Sequence, residues 1–259
     1  MKKNIFIIIV IALVCIGCGR EKLGNLTQRG KEIHDSWHEA TFNLIENDVI
    51  PAFYLDAWIK APNDSARYRI EDQYFPYYKI RQETPNVYTI YNGAEKMLSI
   101  NTYGQSLTEA GSHWRIEKYN PSDYYYGNRP LFYSSYPKGE QLNINKDGEQ
   151  WRIQMDSTEN WGSKCDWHIK PLTNDGGILF ATKNYTLSGN GVYEYWNGIF
   201  LRFDIEKTIT RKEALGQSYS FDGIVQLIAQ QKSSDDIVVR AEYMGNLMSI
   251  TYRGVTEIW

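Results

Sequence analysis

Short runs that alternate apolar and polar residues, closed in pairs by glycine-bearing turns, leave this chain few folds to choose from. Val87-Tyr88-Thr89-Ile90-Tyr91 faces Lys96-Met97-Leu98-Ser99-Ile100 across Asn92-Gly93. Gln141 to Ile144 and Gln150 to Ile153 flank Asp147-Gly148, and Val192 to Tyr195 and Phe200 to Phe203 flank Asn197-Gly198. Val238 to Tyr243 and Met248 to Thr251 flank Gly245. Side chains of a strand point to opposite faces in turn, so a period of two buries one face and wets the other. Asn-Gly and Asp-Gly turns match the twist of a two-stranded ribbon. The pattern predicts a mainly β chain, an antiparallel and hairpin-rich meander of about fourteen strands. The 20 Tyr and 8 Trp suit such a body.

How the sheet closes is open at this level. A barrel or a sandwich-like meander comes first. The turn glycines lie 55, 50 and 47 positions apart, a loose period that also permits a propeller or a trefoil. Trp114-Arg115-Ile116 and Trp167-His168-Ile169 resemble strands of the lectin-type trefoil, yet Ser112 and Cys165 stand where that family has glutamine. The long runs from Ile199 to Thr210 and Ser218 to Gln231 fit a regular propeller blade badly.

Residues 30–76 read differently. Ile33, Trp37, Ala40 and Leu44 recur at three and four, and Ile45 and Val49 widen the stripe, predicting a helix from Gly30 to Ile50. Pro51 opens a second helix, and Asn63-Asp64-Ser65 can cap a third, over Ala66 to Tyr74. So short a helical segment needs docking onto the β body.

Ahead of these lies Met1 to Cys18. Lys2 and Lys3 precede an apolar run from Ile5 to Ile16, too short to span a bilayer, and the layout is that of a secretory signal. Its end, Ile16-Gly17-Cys18, resembles the lipobox of bacterial lipoproteins, with Cys15 departing from the usual aliphatic residue. With the short polar tether and the aromatic β body, the chain resembles exported envelope lipoproteins of Bacteroidota. That resemblance implies cleavage before Cys18, acylation of its thiol, and membrane attachment through the N-terminal lipid. Gly19 in place of Asp leans towards the outer membrane, on the periplasmic or surface side. The chain then divides into a signal peptide (1–17), anchor and tether (18–29), helical segment (30–76) and antiparallel β domain (77–259). Loss of Lys2 and Lys3 takes the net charge from −3 to −5, and no basic patch points to nucleic acid. With Cys15 removed and Cys18 acylated, Cys165 has no second cysteine to bridge, so stability rests on packing.

Familiar catalytic signatures are missing: there is no G-x-S-x-G elbow, no H-E-x-x-H and no phosphate loop. Gly189-Asn190-Gly191 reads as a hairpin turn. His34 and His38 share a helix side but lack further ligands, so they read as boundary residues of the Ile33-Trp37 face, and no metal or other cofactor is expected. Cys165 and His168 fall on opposite faces of a strand, which makes Cys165 a core thiol. Asp156, Glu159, Asp166, Glu194 and Asp204 could supply a glycosidase pair, defined only in space. The most suggestive stretch for a ligand is Tyr124-Tyr125-Tyr126, framed by Asp123, Asn128 and Arg129, whose rings can stack on sugars. The structural alternative is that these tyrosines pack over the sheet or the helices. The leading expectation is a lipid-anchored envelope protein that binds glycan, peptide or a partner protein without catalysis. The alternatives are a polysaccharide hydrolase with a carboxylate pair and a structural subunit of a surface assembly.

Overall fold

The computed structural model describes residues 28–119, 140–157, 163–172, 174–175, 178–194, 199–213, 219–231 and 234–259. Helix α1 covers residues 28–44. It runs without a break into a single π-turn, Ile45–Val49, where the Ile50 amide donates to the Ile45 carbonyl, and then into α2, Ile50–Lys60. The expected uninterrupted helix to Ile50 is therefore widened over its last turn. Helix α3, Asp64–Tyr74, is capped by the Asn63 side chain, which accepts from the Ala66 amide at 3.0 Å. The Trp58 indole donates to Glu71 at 2.7 Å and ties α2 to α3.

The strands are β1 Tyr78–Thr84, β2 Val87–Asn92, β3 Glu95–Asn101, β4 His113–Lys118, β5 Glu140–Asp147, β6 Gln150–Ser157, β7 Lys164–Pro171, β8 Asn174–Asp175, β9 Ile178–Leu179, β10 Tyr185–Glu194, β11 Phe200–Glu213, β12 Tyr219–Gln231, β13 Ser234–Gly245, β14 Leu247–Tyr252 and β15 Val255–Ile258. Strands β8 and β9 form a small hairpin, and the other thirteen make one antiparallel sheet in chain order. The expected meander is what forms. It is not closed, since β1 and β15 are its two ends, so the barrel, propeller and trefoil closures give way to an open sheet, which fits the sandwich-like meander.

The turn chemistry accounts for the register. Asn92 pairs with Glu95, Asp147 with Gln150 and Met244 with Leu247. Gly93, Gly148 and Gly245 thus each take the first loop position, with φ of 59°, 59° and 70°, the signature of type II′ turns. The Asn197-Gly198 turn lies outside the described residues.

Gly189-Asn190-Gly191 is not a turn. It lies inside β10, where the register against β11 shifts between Leu187 and Asn190. Gly189 has φ +124°, and a Cβ there would overlap the Asp166 carbonyl of β7. A side chain on Gly191 would overlap the Phe203 ring. These glycines serve close approach of three strands rather than chain reversal.

One face of the sheet is apolar and carries the helices. Trp114 and Ile116, Ile153 and Met155, Trp167 and Ile169, Leu201 and Phe203 all point inward and are buried. Trp37 of α1 is fully buried, with its ring 6.0 Å from Phe203. Phe53 of α2 packs edge-on to Trp151 at 5.1 Å. The helical segment and the sheet share one core, as an apolar helical stripe requires. No helix among the described residues is long and apolar enough to cross a membrane.

Candidate functional site

Two charged side chains break the inward apolar pattern of the strands. In β4 the inward series Trp114, Ile116 ends in Lys118. In β11 the inward series Leu201, Phe203, Ile205, Ile209 ends in Arg211, which is 1 % exposed. The π-turn supplies their partners. Asp48, itself buried, meets the Lys118 ammonium at 2.9 Å. The Glu46 carboxylate holds the Arg211 guanidinium at 2.6 Å and Lys183 at 3.3 Å. A π-turn adds a residue to the helical turn, and such turns recur at functional sites. Here it sets Glu46, Asn47 and Asp48 along the wall of one cleft.

The cleft has a volume of about 410 Å³ and lies between the helices and the strands β2, β3 and β4. Its apolar wall is built from Pro51, Ile90, Met97 and Leu98, and its aromatic wall from Tyr54, Tyr74, Phe75 and Tyr78. Tyr54 and Tyr74 are stacked, with ring centres 4.3 Å apart. Burial, reinforced by Tyr74 and Glu46, pushes the Tyr54 hydroxyl far above its ordinary value. It therefore stays protonated and donates to the Phe180 carbonyl at 3.1 Å.

That carbonyl begins the turn Phe180 to Lys183, which forms the remaining rim. Phe180 has φ +63° and Lys183 has φ +52°, the left-handed region that bulky side chains avoid. The surroundings hold them there. Phe180 is fully buried, 4.6 Å from Phe53, and the Lys183 carbonyl accepts from Arg211 at 2.6 Å. Strain of about 1–3 kcal/mol per residue persists only where packing over-determines it. A π-turn on one side and a strained turn on the other thus converge on one cleft.

A second depression, about 560 Å³, lies on the outer face of β6, β7, β10, β11 and β12. Register aligns Gln154, Asp166, Asn190, Asp204 and Gln226 in one row across these strands. Asp166 and Asp204 are the acids of that row. Asp166 is held by Arg152 at 2.8 and 2.6 Å, which draws its carboxyl below the ordinary range. A glycosidase acid requires the opposite shift. The Asp156 side chain and Glu159 lie outside the described residues.

His34 sits deeper than the sequence suggested, whereas His38 is half-buried, as a boundary residue should be. Burial holds both below the ordinary histidine value, His38 at about 3 with the His34 charge adding to the effect. Neutral His34 accepts from the Tyr243 hydroxyl at 2.6 Å through Nε2, leaving Nδ1–H to face Asp35 at 3.2 Å. This is a structural relay between α1 and β13. Among the described residues no three His, Cys, Asp or Glu side chains gather as a metal site. Cys165 is a buried thiol on the inner face of β7, as its spacing from His168 implied.

Cys18, Asp123, Tyr124, Tyr125, Tyr126, Asn128 and Arg129 all lie outside the described residues, so the geometry bears on none of them. The residues brought together in the cleft, Glu46, Asp48, Tyr54, Tyr74, Lys118 and Lys183, were not singled out by the sequence. The available signal was charge at inward strand positions, Lys118 after Trp114 and Ile116, and Arg211 after Ile209. No protein family, no curated protein and no solved structure matches this chain.

Proposed function

We propose that this chain is a lipid-anchored envelope protein, held at the outer membrane by acylated Cys18, whose β body is a non-enzymatic binding module. Its ligand is a glycan, a peptide or part of a partner protein, seated in the cleft between the helices and β2 to β4. One observation carries the binding reading: two irregular backbone segments, the π-turn and the strained turn Phe180 to Lys183, meet at a cavity with apolar, aromatic and charged walls. The acids of this cleft are engaged by cations, Glu46 by Arg211 and Lys183, and Asp48 by Lys118. That favours recognition over proton transfer.

The anchor is tested by metabolic labelling with a fatty-acid analogue. The wild type takes the label and Cys18→Ala does not; an unlabelled wild type removes the anchor. Binding is tested on glycan and peptide arrays with wild type and Ala181→Trp, which fills the cleft from its rim. Signals that vanish in the variant support the cleft, and signals that persist unchanged put binding elsewhere.

A further inference from the structure

We infer that the cleft selects a small organic anion, a carboxylate or a group of equivalent charge carried on an apolar body. This inference rests on the proposed binding role of the cleft and specifies its ligand. Asp48 and Lys118 form a closed pair at 2.9 Å, with side chains only 6 % and 10 % exposed. Glu46 is held through one oxygen by the buried Arg211 guanidinium at 2.6 Å, and Arg211 also donates to the Lys183 carbonyl. Both carboxylates are thus paired with buried cations, which leaves Lys183 as the charge in excess at this cleft.

Lys183 is placed differently. Its ammonium donates to the second Glu46 oxygen at 3.3 Å, a longer contact than that of Arg211, and its side chain is 37 % exposed. Arg211 already satisfies Glu46, so Lys183 can turn towards a ligand without stranding a buried charge. Its backbone is fixed in the rim by Arg211 and by its own amide, which donates to the Phe180 carbonyl at 2.9 Å. The cation therefore swings from a fixed base. The same cleft is lined by Met97, Leu98 and Ile90 and by the stacked Tyr54–Tyr74 pair. A cavity of about 410 Å³ holds a small ring or short chain with one charged end.

The test titrates full-length protein in mild detergent with phenylacetate, 2-phenylethanol and 2-phenylethylamine, an anionic, a neutral and a cationic probe of similar size. Binding is followed by calorimetry with a detergent blank. Phenylacetate binds at least about tenfold tighter than the alcohol, as a charge-assisted hydrogen bond gives, and the amine binds weakest. Lys183→Gln removes the advantage of phenylacetate and leaves the alcohol unchanged. Ala181→Trp and, from the strand wall, Met97→Trp abolish binding of all three, with thermal unfolding confirming that each variant is folded. Equal binding of anion and alcohol, or an advantage that survives Lys183→Gln, overturns the selection of anions while leaving the cleft as a binding site. No binding of any probe, or binding that both folded tryptophan variants retain, overturns the cleft itself.

Discussion

Asp48 and Lys118 show what a single pair of residues does here. Each is buried, so neither tolerates loss of the other. Lys118→Met leaves a buried carboxylate uncompensated and is expected to cost about 3–5 kcal/mol in urea unfolding. Asp48→Leu combined with Lys118→Met recovers most of that, because two apolar groups leave no charge behind. The histidines give a pH dependence of definite sign. His38 titrates near 6.5 when unfolded and at about 3 when folded, and His34 is shifted the same way. The unfolded chain takes up these protons first, so their contribution to stability is complete above pH 6.5 and is lost as the pH falls from there towards 3. Urea midpoints at pH 7, 5 and 4 measure the slope, and His38→Phe makes it shallower. Residue-scale function was only half legible. Trp114, Trp151 and Trp167 could be read as core from alternation alone, and they are. Lys118 and Arg211 carry the same alternation, but a charge at an inward position acquires meaning only from the acid that a distant helix brings to it.

At the scale of elements, α1 is held to the sheet through Trp37, which is fully buried with its ring against Phe203 of β11. Trp37→Ala is expected to destabilise by about 3–5 kcal/mol in the same unfolding assay. In β10, Gly189→Ala meets both a positive φ and the Asp166 carbonyl. It is expected to be destabilising by more than the roughly 1 kcal/mol typical of a point mutation, and to open β7 and β10 to amide exchange before the rest of the sheet. Most elements could be read from pattern. The helical stripe, the Asn63 cap, the W-x-I strands and the glycine hairpins all depend on residues close in sequence. Two features could not. The π-turn keeps Ile45 and Val49 in the same apolar stripe as an α-turn would, so nothing local marks it. Gly189-Asn190-Gly191 has the composition of a turn, and only the approach of the β7 backbone makes it a strand interior.

For the whole molecule, the sequence specified an antiparallel meander but not its closure, because neighbouring strands pair through local hairpins while the two ends meet or part by accumulated twist and by what lies inside. Here the helices lie against the inner face, and the sheet stops short of its own edge. The cleft lies where the helices meet the first strands of the sheet, β1 to β4, and no residue of β14 or β15 lines it. The outer face is its natural control, a shallower depression with a polar row of side chains. Site-directed photo-crosslinking in living cells separates the two most directly. A benzoylphenylalanine is placed at Gln73, exposed at the cleft, or at Asp204, exposed on the outer face. The account predicts a discrete adduct at Gln73 that disappears in the Ala181→Trp background, and none at Asp204. Adducts at Asp204 alone, or a Gln73 adduct that Ala181→Trp leaves intact, would contradict it.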